Sequence, residues 1–158
     1  KKGIDKPIAQ TASRTRVNVV GAIELSSMNI ISCCPENVNA ETIIAFFTQL
    51  KEAYSNAPKI HIILDQSGYH RSQLLQVEAL KNNIILHYLP PYSPNLNPIE
   101  RLWKVMNEEV RNNVFFTSAK HFRDSIIDFF NTKIKKISLS LRRRINDNFQ
   151  TIKPVLSG

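Results

Sequence analysis

Lys59-Ile-His-Ile-Ile-Leu-Asp65 is the stretch on which the fold turns. A short, almost unbroken apolar run predicts a strand buried on both faces, as in parallel sheets. Ile84 to Tyr88 is a second such run. Ser72 to Lys81 lies between them and has a helical pattern that predicts Leu74, Leu75, Val77 and Leu80 inward. Upstream, Glu41 to Tyr54 places Ile43, Ile44, Phe47, Leu50 and Ala53 at helical spacing, with Asn39 as N-cap. Further upstream, Arg16 to Leu25 and Met28 to Cys33 form a predicted hairpin turning at Ser26 and Ser27. The order strand, helix, strand, helix, strand implies an α/β fold with parallel pairing and right-handed crossovers. Downstream, Leu89 to Asn97 holds three prolines and no periodicity, so it is an ordered loop. A helix follows from Pro98 to about Asn112, with Asn97 before it as N-cap. Another runs from Ser118 to about Lys133, with Phe122, Ile126, Phe129 and Phe130 along one stripe.

The chain has 158 residues, 42% hydrophobic and 22% charged, the balance of one globular domain. No apolar run reaches the ~18 residues of a membrane span, and KKGIDKPIAQ has no apolar signal core. A membrane partner is therefore not expected. The two cysteines, Cys33 and Cys34, are adjacent and poorly placed to bridge each other. Zinc spacing is absent, and a reducing, cytoplasmic setting is expected. Net charge is +8, unevenly spread. Residues 1–40 carry +2, residues 41–100 carry −1, and residues 101–158 carry +7. Positive charge gathered in one third of the chain points to a polyanion, nucleic acid above all, or else to a solvated basic tail.

Asp65 closes a predicted buried strand, and ligands of open parallel sheets bind at the carboxyl ends of strands. It is placed to hold a metal or, alternatively, to form an Asx-turn into the next loop. Glu100 shares a polar helical stripe with Lys104, Asn107 and Arg111, beside a core stripe of Ile99, Leu102, Trp103, Met106 and Val110. That line could hold a metal and then track a phosphate backbone. The competing role for Glu100 is a capping box with Asn97. His70 follows Asp65 by five residues and can reach the same cavity. His61 and His87 lie within strands and read as core residues, and His121 as surface. Arg142, Arg143 and Arg144 point in different directions from any one helix, which suits an extended phosphate surface. A solvated helix face is the alternative. Only four glycines, and neither GxSxG nor HExxH, weaken phosphate-loop, hydrolase and zinc-protease readings.

Leu89-Pro-Pro-Tyr-Ser-Pro-Asn-Leu-Asn-Pro-Ile-Glu-Arg-Leu-Trp103 resembles the signature segment of DDE transposases of the IS630/Tc1/mariner superfamily. Asp65 and Glu100 are separated by 34 residues, the spacing typical of that group's second and third acids. Asp65-Gln-Ser-Gly-Tyr-His70 is similar to its second motif, with Gln66 where asparagine is commoner, and Arg16-Val-Asn-Val-Val-Gly-Ala22 resembles the strand after the first acid. The resemblance implies an RNase H-like mixed sheet flanked by helices. It implies a DNA transposase catalytic domain that hydrolyses phosphodiesters at transposon ends and transfers the freed 3′-OH to target DNA. Asp65 and Glu100 become catalytic metal ligands, for Mg²⁺ or Mn²⁺, two ions in the complete site. The implied partners are transposon inverted-repeat ends and target DNA, in a homo-oligomer. The implied location is the bacterial nucleoid within the cytoplasm.

On this resemblance the domain spans residues 16–133, after a lead-in of residues 1–15 and before a basic extension of residues 134–158. The first aspartate of the pattern belongs to a central strand upstream of Arg16–Leu25, and Asp5, in a polar lead-in with a proline, is a poor candidate for it. The central first strand is thus expected to be missing from this chain, between the Arg16–Leu25 and Lys59–Leu64 strands. The lead-in, a strand from a second chain, or a shift of the hairpin could close the gap, and a partner strand fits best. Two other readings stand beside the enzyme. One is a non-catalytic DNA-binding remnant. The other is an interaction module docking on a chain that supplies the strand.

Overall fold

The computed structural model describes residues 16–112 and 114–148, so the expected lead-in and the last ten residues of the basic extension lie outside it. Alternating side chains build the first pair of strands. β1 (Val20–Glu24) and β2 (Asn29–Cys33) are antiparallel, with Val20 opposite Cys33 and Glu24 opposite Asn29. Met28 closes their turn at a φ of 60° and is nonetheless buried. One face of the hairpin carries Val20, Ala22, Ile31 and Cys33, and the other Val19, Ile23, Leu25, Ile30 and Cys34. Period-two alternation thus gives the hairpin two apolar faces, and each meets its own core.

α1 (Ala40–Ala53) begins where the Asn39 side chain accepts from the Thr42 amide at 2.9 Å, as expected. It buries Ile43, Phe46, Phe47 and Leu50. β3 (Ile60–Leu64) and β4 (Ile84–Tyr88) pair in parallel, Ile60 beside Ile84 and Leu64 beside Tyr88. α2 (Gln73–Lys81) connects them and is capped by Ser72. α3 (Ile99–Val110) and α4 (Ala119–Asp128) follow. A π-helical turn at Phe129–Lys133 and short helical turns carry the chain to Arg143. Leu102, Val105, Phe122, Ile126, Phe129, Ile134, Leu141 and Ile145 form the second core, so residues after 133 pack into the same unit as the hairpin.

Three expectations are corrected. In α2 only Leu75 and Ala79 are buried, while Leu74, Val77 and Leu80 are exposed. A nine-residue surface helix touches its neighbours through one narrow i, i+4 stripe, and four apolar positions overfill it. β3 is buried on one face, because Ile63 is 62% exposed on the side away from α1 and α2. His61 and His87 are accordingly exposed rather than core, with ring nitrogens 2.9 Å apart.

The four strands form two separate pairs, and no described strand joins β1 to β3. Between them lies a cleft of about 1250 Å³. β1 and β3 line its sides, Phe46, Phe47 and Leu50 of α1 line it from one element, and Ile99 and Trp103 of α3 from another. Gly21 makes the approach of Trp103 possible. A Cβ there would sit 2.7 Å from the Trp103 ring, which is itself set edge-on against Phe130. Gly21→Ala is expected to destabilise the domain by ~1–3 kcal/mol through overpacking, seen as a lower urea midpoint at unchanged slope.

Candidate active site

The end of β3 delivers Asp65 to the cleft. Its Oδ1 accepts from the Ser67 amide at 3.0 Å and from His70 Nδ1 at 2.7 Å. The Asx-turn and the cleft-lining position therefore coexist, since Oδ1 makes the turn while Asp65 lines the cleft. His70 is itself held, because the Tyr88 hydroxyl donates to its backbone carbonyl at 2.8 Å. The Gln66 side chain donates to the Leu89 carbonyl at 2.9 Å, tying the Asp65 loop to the proline-rich loop. Tyr88 and Gln66 are supports that sequence reading missed. The signal lay in the pairing of Tyr88 with Leu64, which sets it next to Asp65 once β3 and β4 are parallel.

The proline-rich loop leads into the first turn of α3, where Glu100 sits. The capping box does not form. Asn97 Oδ1 accepts from the Ile99 amide at 3.4 Å, and among the described residues the Glu100 carboxylate has no hydrogen bond. Both acids line the one cleft. Partial burial pushes the Asp65 carboxyl up, but the Ser67 and His70 hydrogen bonds outweigh it and the net shift is down. Partial burial raises Glu100, and the charge of Asp65 raises it further. Glu100 thus feels the charge of Asp65 across the cleft.

That electrostatic conflict has a measurable sign. Glu100 is raised in the folded state, so its ionisation with rising pH opposes folding. Glu100→Gln should raise the melting temperature at neutral pH, and the gain should vanish in acid where Glu100 is protonated. Asp65 is lowered, so its contribution is present at neutral pH and is lost as the pH falls through its folded value. Thermal melts from pH 3 to pH 8 separate the two.

The stripe beyond Glu100 is interrupted at Asn107. Lys104 is exposed, but the Asn107 side-chain oxygen is buried without a partner among the described residues. Arg111 lies over the Phe122 ring, 5.4 Å from its centroid. The arginine triplet is divided too. Arg142 donates to the Ser26 carbonyl at 2.8 Å, and Arg144 pairs with Glu108 at 2.6 Å. Both brace the fold, and all three arginines are exposed.

Oxygen donors without sulfur suit hard divalent cations. Among the described residues no three or more of His, Cys, Asp and Glu gather as a metal cluster, so Asp65 and Glu100 are a fitting but partial set. A carboxylate at the end of a parallel strand and another at a helix start, both lining one cleft, mark an α/β domain with a candidate site at the strand ends. A family model described as DDE superfamily endonuclease matches residues 1–123, and the chain belongs to that family. A 39 kDa protein of insertion element IS630 from Shigella sonnei, itself uncharacterised, is 27% identical over 138 residues, 81% of this chain and 40% of its own length. An uncharacterised Sinorhizobium fredii (strain NBRC 101917 / NGR234) protein, y4pE/y4sA, is 44% identical over 55 residues, 35% of this chain and 38% of its own. The matches thus span about two fifths of these curated relatives. Among solved structures, the Mos1 strand transfer complex aligns with a TM-score of 0.60 at 17% identity, covering 92% of this chain and 46% of that one. A simian T-cell lymphotropic virus intasome, in complex with the PP2A regulatory subunit B56 gamma, aligns at 0.58 and 16%, covering 90% and 54%. These likenesses place the fold in the RNase H-like class that the signature segment implied. No helix among the described residues is long and apolar enough to cross a membrane.

Proposed function

We propose that this chain is catalytic-domain sequence of a DNA transposase, acting on transposon inverted-repeat ends and target DNA. The observation that carries the reading is the convergence of Asp65 and Glu100 on one cleft, where the charge of one raises the pKa of the other. Asp65 and Glu100 would hold Mg²⁺ or Mn²⁺, which supplies activation of water or a 3′-OH and stabilisation of the leaving oxygen. His70 and Ser67 fix the Asp65 carboxylate in one orientation and keep it ionised. Tyr88 and Gln66 hold the loop that carries them. Glu100 stands on the first helical turn, where the helix dipole favours its anionic form once a cation offsets Asp65.

The third acid is proposed to come with an extended segment lying in the cleft between β1 and β3. The exposed Lys104 and Arg143 are proposed phosphate contacts, with Arg142 and Arg144 contributing through charge alone. Two tests bear on this. The chain should bind duplex DNA weakly, and two phosphate contacts would give a slope of about −2 in a plot of log affinity against log salt. A salt-independent affinity would remove the DNA reading. With Mg²⁺ the chain alone should not cut DNA, and it should cut once an aspartate-bearing strand is supplied. Mg²⁺-dependent cutting by the chain alone, abolished by Asp65→Asn, would refute the need for a third acid from elsewhere.

A further inference from the structure

Tyr92 has no described partner for its ring, and its side chain is fully exposed at 102%. Its φ is 56°, a region that bulky residues rarely adopt. Such strain persists only where the surroundings impose it, and it concentrates at functional sites. Here Pro90, Pro91 and Pro94 fix φ on both sides. The Ser93 hydroxyl donates to the Pro91 carbonyl at 3.2 Å, and the Leu96 and Asn97 amides close a helical turn on Ser93 and Pro94. The loop is anchored at both acids. Its first residue, Leu89, donates to the Leu64 carbonyl beside Asp65, and its end leads through Pro98 to Glu100. A rigid loop spanning the two carboxylates thus presents one aromatic ring to solvent.

We propose that Tyr92 stacks on an unpaired nucleobase next to the phosphate on which the Asp65 and Glu100 site acts, which rests on the reading that this site acts on DNA. Bases inside a duplex show only their edges, so the ligand is a single-stranded or frayed nucleotide. Ser93, Asn95 and Asn97, which follow Tyr92 in the loop, are polar, unlike the apolar surround of a protein-docking anchor. A preset ring also loses little conformational freedom on stacking.

The test is metal-free binding of the full chain to single-stranded DNA, duplex, and duplex frayed at a 2-aminopurine. Wild type should change the 2-aminopurine fluorescence. Tyr92→Ala should weaken binding to single-stranded and frayed DNA by about 5- to 150-fold and leave duplex binding within about twofold. Tyr92→Phe and Tyr92→Trp should retain binding. Tyr92→Gly should lose it while melting no lower than wild type, because glycine accepts positive φ without strain. Equal binding by wild type and Tyr92→Ala, or an equal loss on duplex, would overturn the proposal. So would a changed mass of Tyr92→Ala in light scattering with DNA binding intact, which would assign the ring to contact between copies. If the chain binds no DNA, the DNA reading fails with it. If it binds with the expected salt slope and the variants match wild type, only the stacking role fails.

Discussion

Asp65→Asn in the full-length protein is expected to cut DNA on the order of 10³-fold more slowly or worse, with Glu100→Gln equally damaged. A metal ligand at the reacting phosphate stabilises the transition state by several kcal/mol, and ~4 kcal/mol is about 10³ in rate. The substitutions separate chemistry from folding. Asparagine keeps the oxygen that accepts from Ser67 and His70, so the turn after β3 survives Asp65→Asn. Glutamine at 100 loses no hydrogen bond among the described residues and relieves a raised carboxyl, so Glu100→Gln should be folded and more heat-stable. Because both acids would hold the same ions, the double variant should be scarcely slower than either single one. Plasmid nicking with Mg²⁺, measured beside melting curves, checks each point. Asp65→Asn nicking within tenfold of wild type would leave Asp65 as a turn residue only.

The acids were legible because each is marked locally. Asp65 ends an apolar run, and Glu100 sits in a proline-rich segment whose order of residues is specific. Chain order also carried α1, where Asn39 caps as expected, and the parallel pairing of β3 with β4. What failed depends on neighbours that periodicity does not contain. The apolar run Ile60–Leu64 says nothing about what covers its second face, and Ile63 is left exposed. Leu74, Val77 and Leu80 fit a helix, but only tertiary contact decides that Leu75 and Ala79 face inward. Arg142 and Arg144 meet Ser26 and Glu108 across long sequence separations, contacts that the local arginine triplet does not announce.

A strand entering the cleft between β1 and β3 should be the largest single change in this protein's stability and assembly. Each of those strands is hydrogen-bonded on one side only among the described residues. An exposed strand edge is a template for pairing with another chain. Five inserted residues would make about ten backbone hydrogen bonds, each worth ~1 kcal/mol net, against an ordering cost of ~1–2 kcal/mol per residue. Two apolar side chains set against Phe46, Phe47 and Leu50 would add roughly 3–6 kcal/mol, so insertion gains about 7 kcal/mol at the middle of these ranges. For a domain of this size that is a rise of at least ~10 °C in melting temperature. The chain by itself should therefore be heavier than a monomer in light scattering, through pairing of the open β1 or β3 edges between copies. Adding an extended apolar peptide with one central aspartate should return it to the monomer and raise the melting temperature. The same peptide should enable Mg²⁺-dependent nicking, whereas its asparagine counterpart should stabilise the fold equally and leave it inactive. A chain that is monomeric alone and unmoved by either peptide would show that the cleft takes no strand, and the third acid would then have to be sought elsewhere.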